Sequence, residues 1–437
     1  MERQEFGPQV IRTVMWKIVP FAFILYFFNY LDRVNVGFAA LQMNRELDIS
    51  PTQFGTIASM FFASYLLCQI PANFALQRLG ARRWISFIVI VWGAVTALTF
   101  FAQTATHVAI ARLLLGVFEA GFFPGMIFYL ACWFPARERA KVTSFFMMAI
   151  AFSSVVAGPM SGWIVEHVHM AGYGGWRWLF AIEGVPTILL GGLAFFILVD
   201  APADAKWLNK DQRAWLVAEL QRERSAQGAD EQPTLKMVLG NSTIWKLALS
   251  YMLIQAASQA SNYWLPGQVK GFAASLTDTQ TGLIMALPYV CAMISMPLWG
   301  AHSDRTGERK WHAALPMLLA GVGFFVIASV PSMSLRMAGM ALFGVGILSF
   351  YGPYWAIPPA MLSPAGLALS IAFINSCSSL GGFLANQALG HVSQAYGSYG
   401  VFMVEAALCV AAFCVLVTMS IPRQTPKVGP SAQTANA

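Results

Sequence analysis

Trp16 to Ala40 reads WKIVPFAFILYFFNYLDRVNVGFAA, an apolar run long enough to cross a bilayer that carries Asp32 and Arg33 side by side in its outer half. About twenty apolar residues span a hydrocarbon core, and an ionisable side chain near its middle costs roughly 3 kcal/mol. Such a charge requires a wet or paired site, so one flank of this helix cannot face lipid. Counted by helical turns, Tyr26, Tyr30 and Arg33 fall at i, i+4 and i+7, with Asn29 and Asp32 on the adjoining stripe. Two readings follow: a structural ion pair inside a helix bundle, or a substrate and proton site in a transporter.

The rest of the chain has the same character. Of its 437 residues 57% are hydrophobic and 11% charged, with a mean hydropathy of +0.59, a balance foreign to soluble globular proteins of this size. An all-α polytopic membrane protein is expected. The N-terminal MERQEFGPQV mixes acidic and basic residues, and the following run ends in charges rather than a small-residue cleavage site, so the first helix is expected to stay as an anchor. The net charge of +7 is a topology signal. Basic residues crowd into alternate loops: Arg78, Arg82 and Arg83; Arg137, Arg139 and Lys141; the stretch from Lys206 to Lys236; Arg305, Arg309 and Lys310. The loops between hold at most a lone Arg45, Arg177, Lys270 or Arg336. By the positive-inside rule the crowded loops and both termini are cytoplasmic. The charge therefore needs no nucleic-acid partner; a multi-pass monomer in the inner (plasma) membrane, with the lipid bilayer as its environment, is expected. Cysteines 68, 132, 291, 377, 409 and 414 lie in apolar runs without metal-type spacing, and His167 and His169 form an isolated surface pair. No metal or cofactor is expected.

Apolar stretches place twelve spans at 17–39, 52–76, 84–102, 107–133, 142–165, 177–199, 243–265, 279–301, 312–330, 335–360, 367–390 and 398–421. They define an N-terminal six-helix bundle over 1–200, a linker over 201–242, a C-terminal six-helix bundle over 243–421 and a tail over 422–437. In the linker, Asn209 can cap a helix with Gln212, and Trp215, Leu216 and Leu220 form an amphipathic stripe. Gln77-Arg78-Leu79-Gly80-Ala81-Arg82-Arg83-Trp84 returns as Asp304-Arg305-Thr306-Gly307-Glu308-Arg309-Lys310-Trp311, an internal duplication. Parallel repeats of six helices with a ligand at the midplane belong to transporters that rock one half against the other.

Gly300-Ala301-His302-Ser303-Asp304-Arg305-Thr306-Gly307-Glu308-Arg309-Lys310 is similar to the loop signature of the major facilitator superfamily; its N-terminal copy has Gln77 where that family usually has Asp. Asn29-Tyr30-Leu31-Asp32-Arg33-Val34-Asn35, the ARLLLGVFEAGFFPG stretch from Ala111, Trp176-Arg177-Trp178-Leu179-Phe180 to Gly184, and Tyr354-Trp355-Ala356-Ile357-Pro358 together resemble its anion:cation symporter family. The likeness covers essentially the whole chain. It implies a carboxylate held by Arg33, protons carried at Asp32 and Glu119, and a path lined by Tyr65, Arg112, Trp355 and Asn375. Protons would be the coupling ion. An arginine's planar fork suits a bidentate carboxylate. Arg78, Arg82, Asp304, Arg305 and Arg309 of the repeat loops are read as a cytoplasmic gate.

Arg112 and Glu119 stand seven residues apart, two turns and about 10 Å along one helix face. Gly116, Gly121, Pro124 and Gly125 around them allow close helix approach or a bend. The C-terminal helices carry no such charge set but offer Gln255, Gln259, Asn262, Tyr263, Trp264, Tyr351, Tyr354, Trp355 and Asn375. The expectation is a small organic anion bridging a charged N-terminal half (Arg33, Tyr30, Tyr65, Arg112) and a neutral, aromatic C-terminal half (Gln259, Trp264, Tyr354, Trp355, Asn375). The flat aromatic surfaces favour an aromatic carboxylate slightly over a sugar acid or tartrate-like acid. Glu183 and Glu405 are read as structural, and Pro159 as a packing kink. An organophosphate exchanger of the same fold would want an arginine from each half, whereas the seventh helix has only Lys246 at its edge. An enzyme would need a nucleophile, metal cluster or phosphate loop, and the sequence shows none. A transport-dead receptor would usually add a signalling domain, and the tail after Ile421 is short.

Overall fold

The computed structural model describes residues 2–226, 238–273, 275–362 and 364–421, and the secondary structure among them is helical throughout. Helix α1 runs over Glu2–Glu46, α2 over Pro51–Leu79, α3 over Ala81–Leu98, α4 over Ala105–Glu119 and α5 over Phe122–Trp133. Then come α6 (Ala136–His167), α7 (Gly175–Ile197), the polar α8 (Lys210–Ala226), α9 (Ser242–Phe272), α10 (Asp278–Thr306) and α11 (Lys310–Ser329). Three shorter pieces, α12 (Met333–Ser349), α13 (Tyr351–Trp355) and α14 (Ile357–Met361), precede α15 (Pro364–Val417).

Among the described residues ten helical stretches are long and apolar enough to cross a membrane. One of them, Leu369–Val417, is 49 residues long and counts twice, because Gly397 with φ 60° and ψ −155° breaks it into two crossings. Helix α9 is 31 residues long but too polar to count by hydropathy, since Gln255, Asn262 and Gln268 are buried along it. Together these make the twelve-span all-α membrane fold. Two single spans read from the sequence are interrupted. The fourth breaks at Ala120 and Gly121 between α4 and α5, and the tenth at Phe350 and Ala356, near Pro353 and Pro358.

Helix starts follow local chemistry. Ser50 accepts from the Gln53 N–H at 3.2 Å while the Gln53 side chain accepts from the Ser50 N–H at 2.9 Å, and Pro51 occupies the first helical position of α2. Asn209 and Gln212 form the same reciprocal cap on α8, at 2.8 and 3.2 Å. Gly80 and Gly307, the equivalent glycines of the duplicated loop, both have positive φ, 81° and 64°.

The chain divides into two compact units, Met1–Asp230 with Pro266–Leu283, and Glu231–Leu265 with Ile284–Ala437. In the first, α1 packs on α6 and α7, α2 on α4, and α3 on α7. The α2–α4 contact is close: a Cβ at Gly116 would lie 2.2 Å from the Phe61 carbonyl oxygen and 2.1 Å from Ser64 Oγ. Arg177 ties three helix ends together, donating from Nη1 to the carbonyls of Phe100 and Ala102 at 2.6 Å each and from Nη2 to Glu46 at 2.8 Å. Helix α8 belongs to this unit, with Leu216 and Leu220 buried and Glu223 accepting from the Ala136 N–H at 3.0 Å. In the second unit α11 packs on α12 and α15.

Candidate substrate and coupling site

Consecutive residues on a helix point about 100° apart, and this separates the two charges of the first span. Arg33 turns toward α4, where its Nη2 lies 3.3 Å from Glu119 Oε2. Asn29, one turn earlier, donates to the same oxygen at 3.0 Å. Asp32 turns toward α3 and α7, accepting at Oδ2 from Trp92 Nε1 at 3.0 Å and from Thr187 Oγ1 at 3.4 Å. The adjacent acid and base thus belong to different clusters, and the cation paired with Glu119 is Arg33.

Arg112, one face and two turns from Glu119, is buried and donates to the Asp32 backbone carbonyl at 3.4 Å. Its guanidinium lies 4.7 Å from the Phe61 ring centroid, and that of Arg33 lies 5.2 Å from the same ring and 5.3 Å from Tyr65. Phe61 is a wedge between two cations, placed there by the close approach at Gly116. The Arg33 side chain keeps 13% exposure while Glu119 keeps none. This gradient puts the arginine at the accessible edge of the cluster and the carboxylate behind it. Tyr30 packs against Leu31, Val34 and Ala157.

The second unit holds the neutral residues. Tyr289 donates to Asn262 Oδ1 at 2.8 Å, and Asn262 Nδ2 donates to Gln259 at 3.3 Å. Tyr351 donates to Gln255 at 2.9 Å. Trp264 is buried and donates to Asn386 at 3.1 Å. Tyr354 is fully buried, stacks on Tyr251 and donates to the Leu247 carbonyl at 2.7 Å. Trp355 packs edge-on against both tyrosines, and Asn375 is half-buried. Among the described residues of this unit no lysine or arginine is buried.

The loop residues separate by chemistry. Arg309 pairs with Asp304 at 2.6 Å. The Arg82 N–H donates to Asp200 at 2.8 Å while its guanidinium covers the Phe195 ring at 4.4 Å; Arg78 and Arg305 are exposed. Asn29, Phe61, Trp92 and Thr187 contact the charged residues without having been singled out as site residues from the sequence. The signal for Phe61 was its i, i+4 spacing to Tyr65; Trp92 and Thr187 sit on other spans and gave none.

A duplicated twelve-span bundle with a buried charge set in one half defines a secondary transporter. The Major Facilitator Superfamily profile matches residues 22–386 and 271–436, and the chain belongs to that superfamily. Two relatives from Agrobacterium vitis, each named "Putative tartrate transporter", are 40% and 41% identical over 421 and 423 residues, covering 96% of this chain and 92% and 96% of their own. The inward open structure of the xylose transporter XylE from E. coli superposes with a TM-score of 0.74 at 14% identity, covering 95% of this chain and 98% of that one, a likeness of fold alone. Within the superfamily the chain is a member of the anion:cation symporter family.

Proposed function

We propose that the protein imports a small organic acid together with protons across the inner (plasma) membrane, with both termini cytoplasmic, and that the acid is a compact hydroxylated dicarboxylate of the tartrate type. The observation that carries this reading is the Arg33–Glu119 pair, a semi-accessible cation held by a fully buried carboxylate at 3.3 Å. An arginine offers a planar fork that a substrate carboxylate can occupy bidentately. While Glu119 is ionised it competes for that fork. A proton on Glu119 removes the competitor, so substrate and proton load together and leave together. Phe61 and Tyr65 hold the plane of the guanidinium, and Arg112, bonded to the Asp32 carbonyl, ties α4 to α1 behind it. Asp32 serves as the second proton site.

The substrate class has two supports. The relatives sharing 40% and 41% identity carry tartrate in their names. Two of the aromatic groups that would favour an aromatic acid, Tyr354 and Trp264, are buried with their polar atoms already bonded inside the second unit. An organophosphate exchanger would want a buried arginine in the second unit as well, and none is present among its described residues.

The test is the thermal stability of purified protein titrated with tartrate, hydroxyphenylacetate and a sugar phosphate at acid and neutral pH, since a ligand stabilises by mass action. Tartrate should stabilise, and more strongly at acid pH. Stabilisation by hydroxyphenylacetate or the sugar phosphate in its place contradicts the substrate assignment.

A further inference from the structure

Glu183 in α7 is 1% exposed, and its two oxygens accept from Asn35 Nδ2 at 2.8 Å and from Ser161 Oγ at 3.4 Å. Among the described residues no cation lies within ion-pair distance of it. Glu46, by contrast, is 42% exposed and sits on Arg177 at 2.8 Å. Carboxylates inside a membrane bundle are costly and mark proton paths.

Asn35 supplies the second observation. It is 1% exposed, and its Oδ1 has no hydrogen-bond partner. A side-chain amide carries a donor at one end and an acceptor at the other. Turned as it stands, Asn35 donates to an ionised Glu183; turned over, its Oδ1 accepts from a protonated one. The arrangement repeats six residues earlier, where Asn29 donates to Glu119 at 3.0 Å and again leaves Oδ1 without a partner.

Glu183 also lies one helical turn from the contact that α7 makes with Asp32 of α1. Thr187, one turn on, donates its hydroxyl to the Glu183 backbone carbonyl at 2.8 Å and lies 3.4 Å from Asp32 Oδ2, whose other oxygen is buried without a partner. Asp32 is the titratable group that α1 turns to this face, while α3 presents Trp92 and Gly93 and α6 presents Ser161.

We propose that Glu183 is a third proton-carrying carboxyl of the transport cycle, with Asn35 as its two-state partner. The inference rests on the proton-symport reading. The step moves a proton and nothing else: Glu183 takes it from water on one side, donates the new O–H to Asn35, and returns it to water on the other.

The test sets the proton gradient across proteoliposomes holding labelled tartrate, with the membrane potential clamped, and measures the substrate gradient at which net flux stops. Each coupled proton supports about a tenfold substrate gradient for a tenfold proton gradient. Glu183→Gln should keep tartrate exchange and lower the balanced gradient about tenfold, while Glu405→Gln, which removes a buried carboxyl held by Ser261 in the second unit, should leave it unchanged. An unchanged balance in Glu183→Gln, or an equal loss in Glu405→Gln, overturns the inference. A wild type that ignores the proton gradient sinks the symport reading instead. Infrared titration of purified protein gives a readout independent of substrate: the carboxyl band that titrates in wild type should lose one component in Glu183→Gln. Should that variant fail to fold, Asn35→Leu should shift the component, and an unshifted band is equally damaging.

Discussion

Replacing Arg33 by lysine separates the charge of this side chain from its fork. The guanidinium is held at 3.3 Å from Glu119 and between 5.2 and 5.3 Å from the Phe61 and Tyr65 rings, so its plane is fixed before substrate arrives. A lysine ammonium keeps the charge but offers a carboxylate one point of contact where the arginine offers two parallel bonds. A hydrogen bond to a charged group contributes about 1.5–3 kcal/mol, so tartrate binding should weaken about 10- to 150-fold. Glu119 contacts the same nitrogen, and the comparison is cleanest in a Glu119→Gln background, where that competition is gone and the difference isolates the ligand. Titration calorimetry on purified protein gives the affinities, and circular dichroism checks that the variants fold. An affinity within threefold of the parent would mean that Arg33 serves Glu119 alone, and the carboxylate would have to be sought at Arg112.

Glu119→Gln alone should bind tartrate with little dependence on pH and should exchange it across proteoliposomes while losing uphill uptake; accumulation equal to wild type would make Glu119 structural. Gly116→Ala forces a Cβ to within 2.2 Å of the Phe61 carbonyl oxygen, and overpacking of this kind costs about 1–3 kcal/mol. It should lower the melting temperature and weaken tartrate binding together, because Phe61 separates the two arginines; an unchanged melting curve contradicts the close approach. Arg177→Lys removes a fork that reaches Phe100, Ala102 and Glu46 at once, a loss of about 2–4 kcal/mol. Thermal melting should record it while tartrate affinity stays unchanged, and a shifted affinity would place Arg177 nearer the site than its bonds indicate.

The architecture was legible because bilayer length is written into composition. Runs of apolar residues, the alternation of basic loops and the Gly80/Gly307 repeat each report on one helix or one loop, and the twelve-span fold follows from them. Spacing likewise placed Arg112 and Glu119 on a shared face. It could not say which neighbour that face meets. Glu119 pairs with Arg33 of α1, and Asp32 looks away from its own sequence neighbour toward Trp92 and Thr187. Such pairings depend on helix packing between residues that are far apart in the chain. Tyr354 shows the same limit from the other side: its sequence context suits a ligand-facing ring, whereas its hydroxyl closes a hydrogen bond to the Leu247 carbonyl within the core. Glutamates carry no label of their own in the sequence, and the buried Glu183 differs from the exposed Glu46 only through what surrounds it.

Uphill uptake decides the central claim. Purified protein in proteoliposomes with an acidic exterior should accumulate labelled tartrate above the external concentration, and a protonophore should abolish the accumulation without stopping tartrate exchange. Uptake that stops at equal concentrations, or that rises only when the vesicles are preloaded with phosphate, would contradict proton symport.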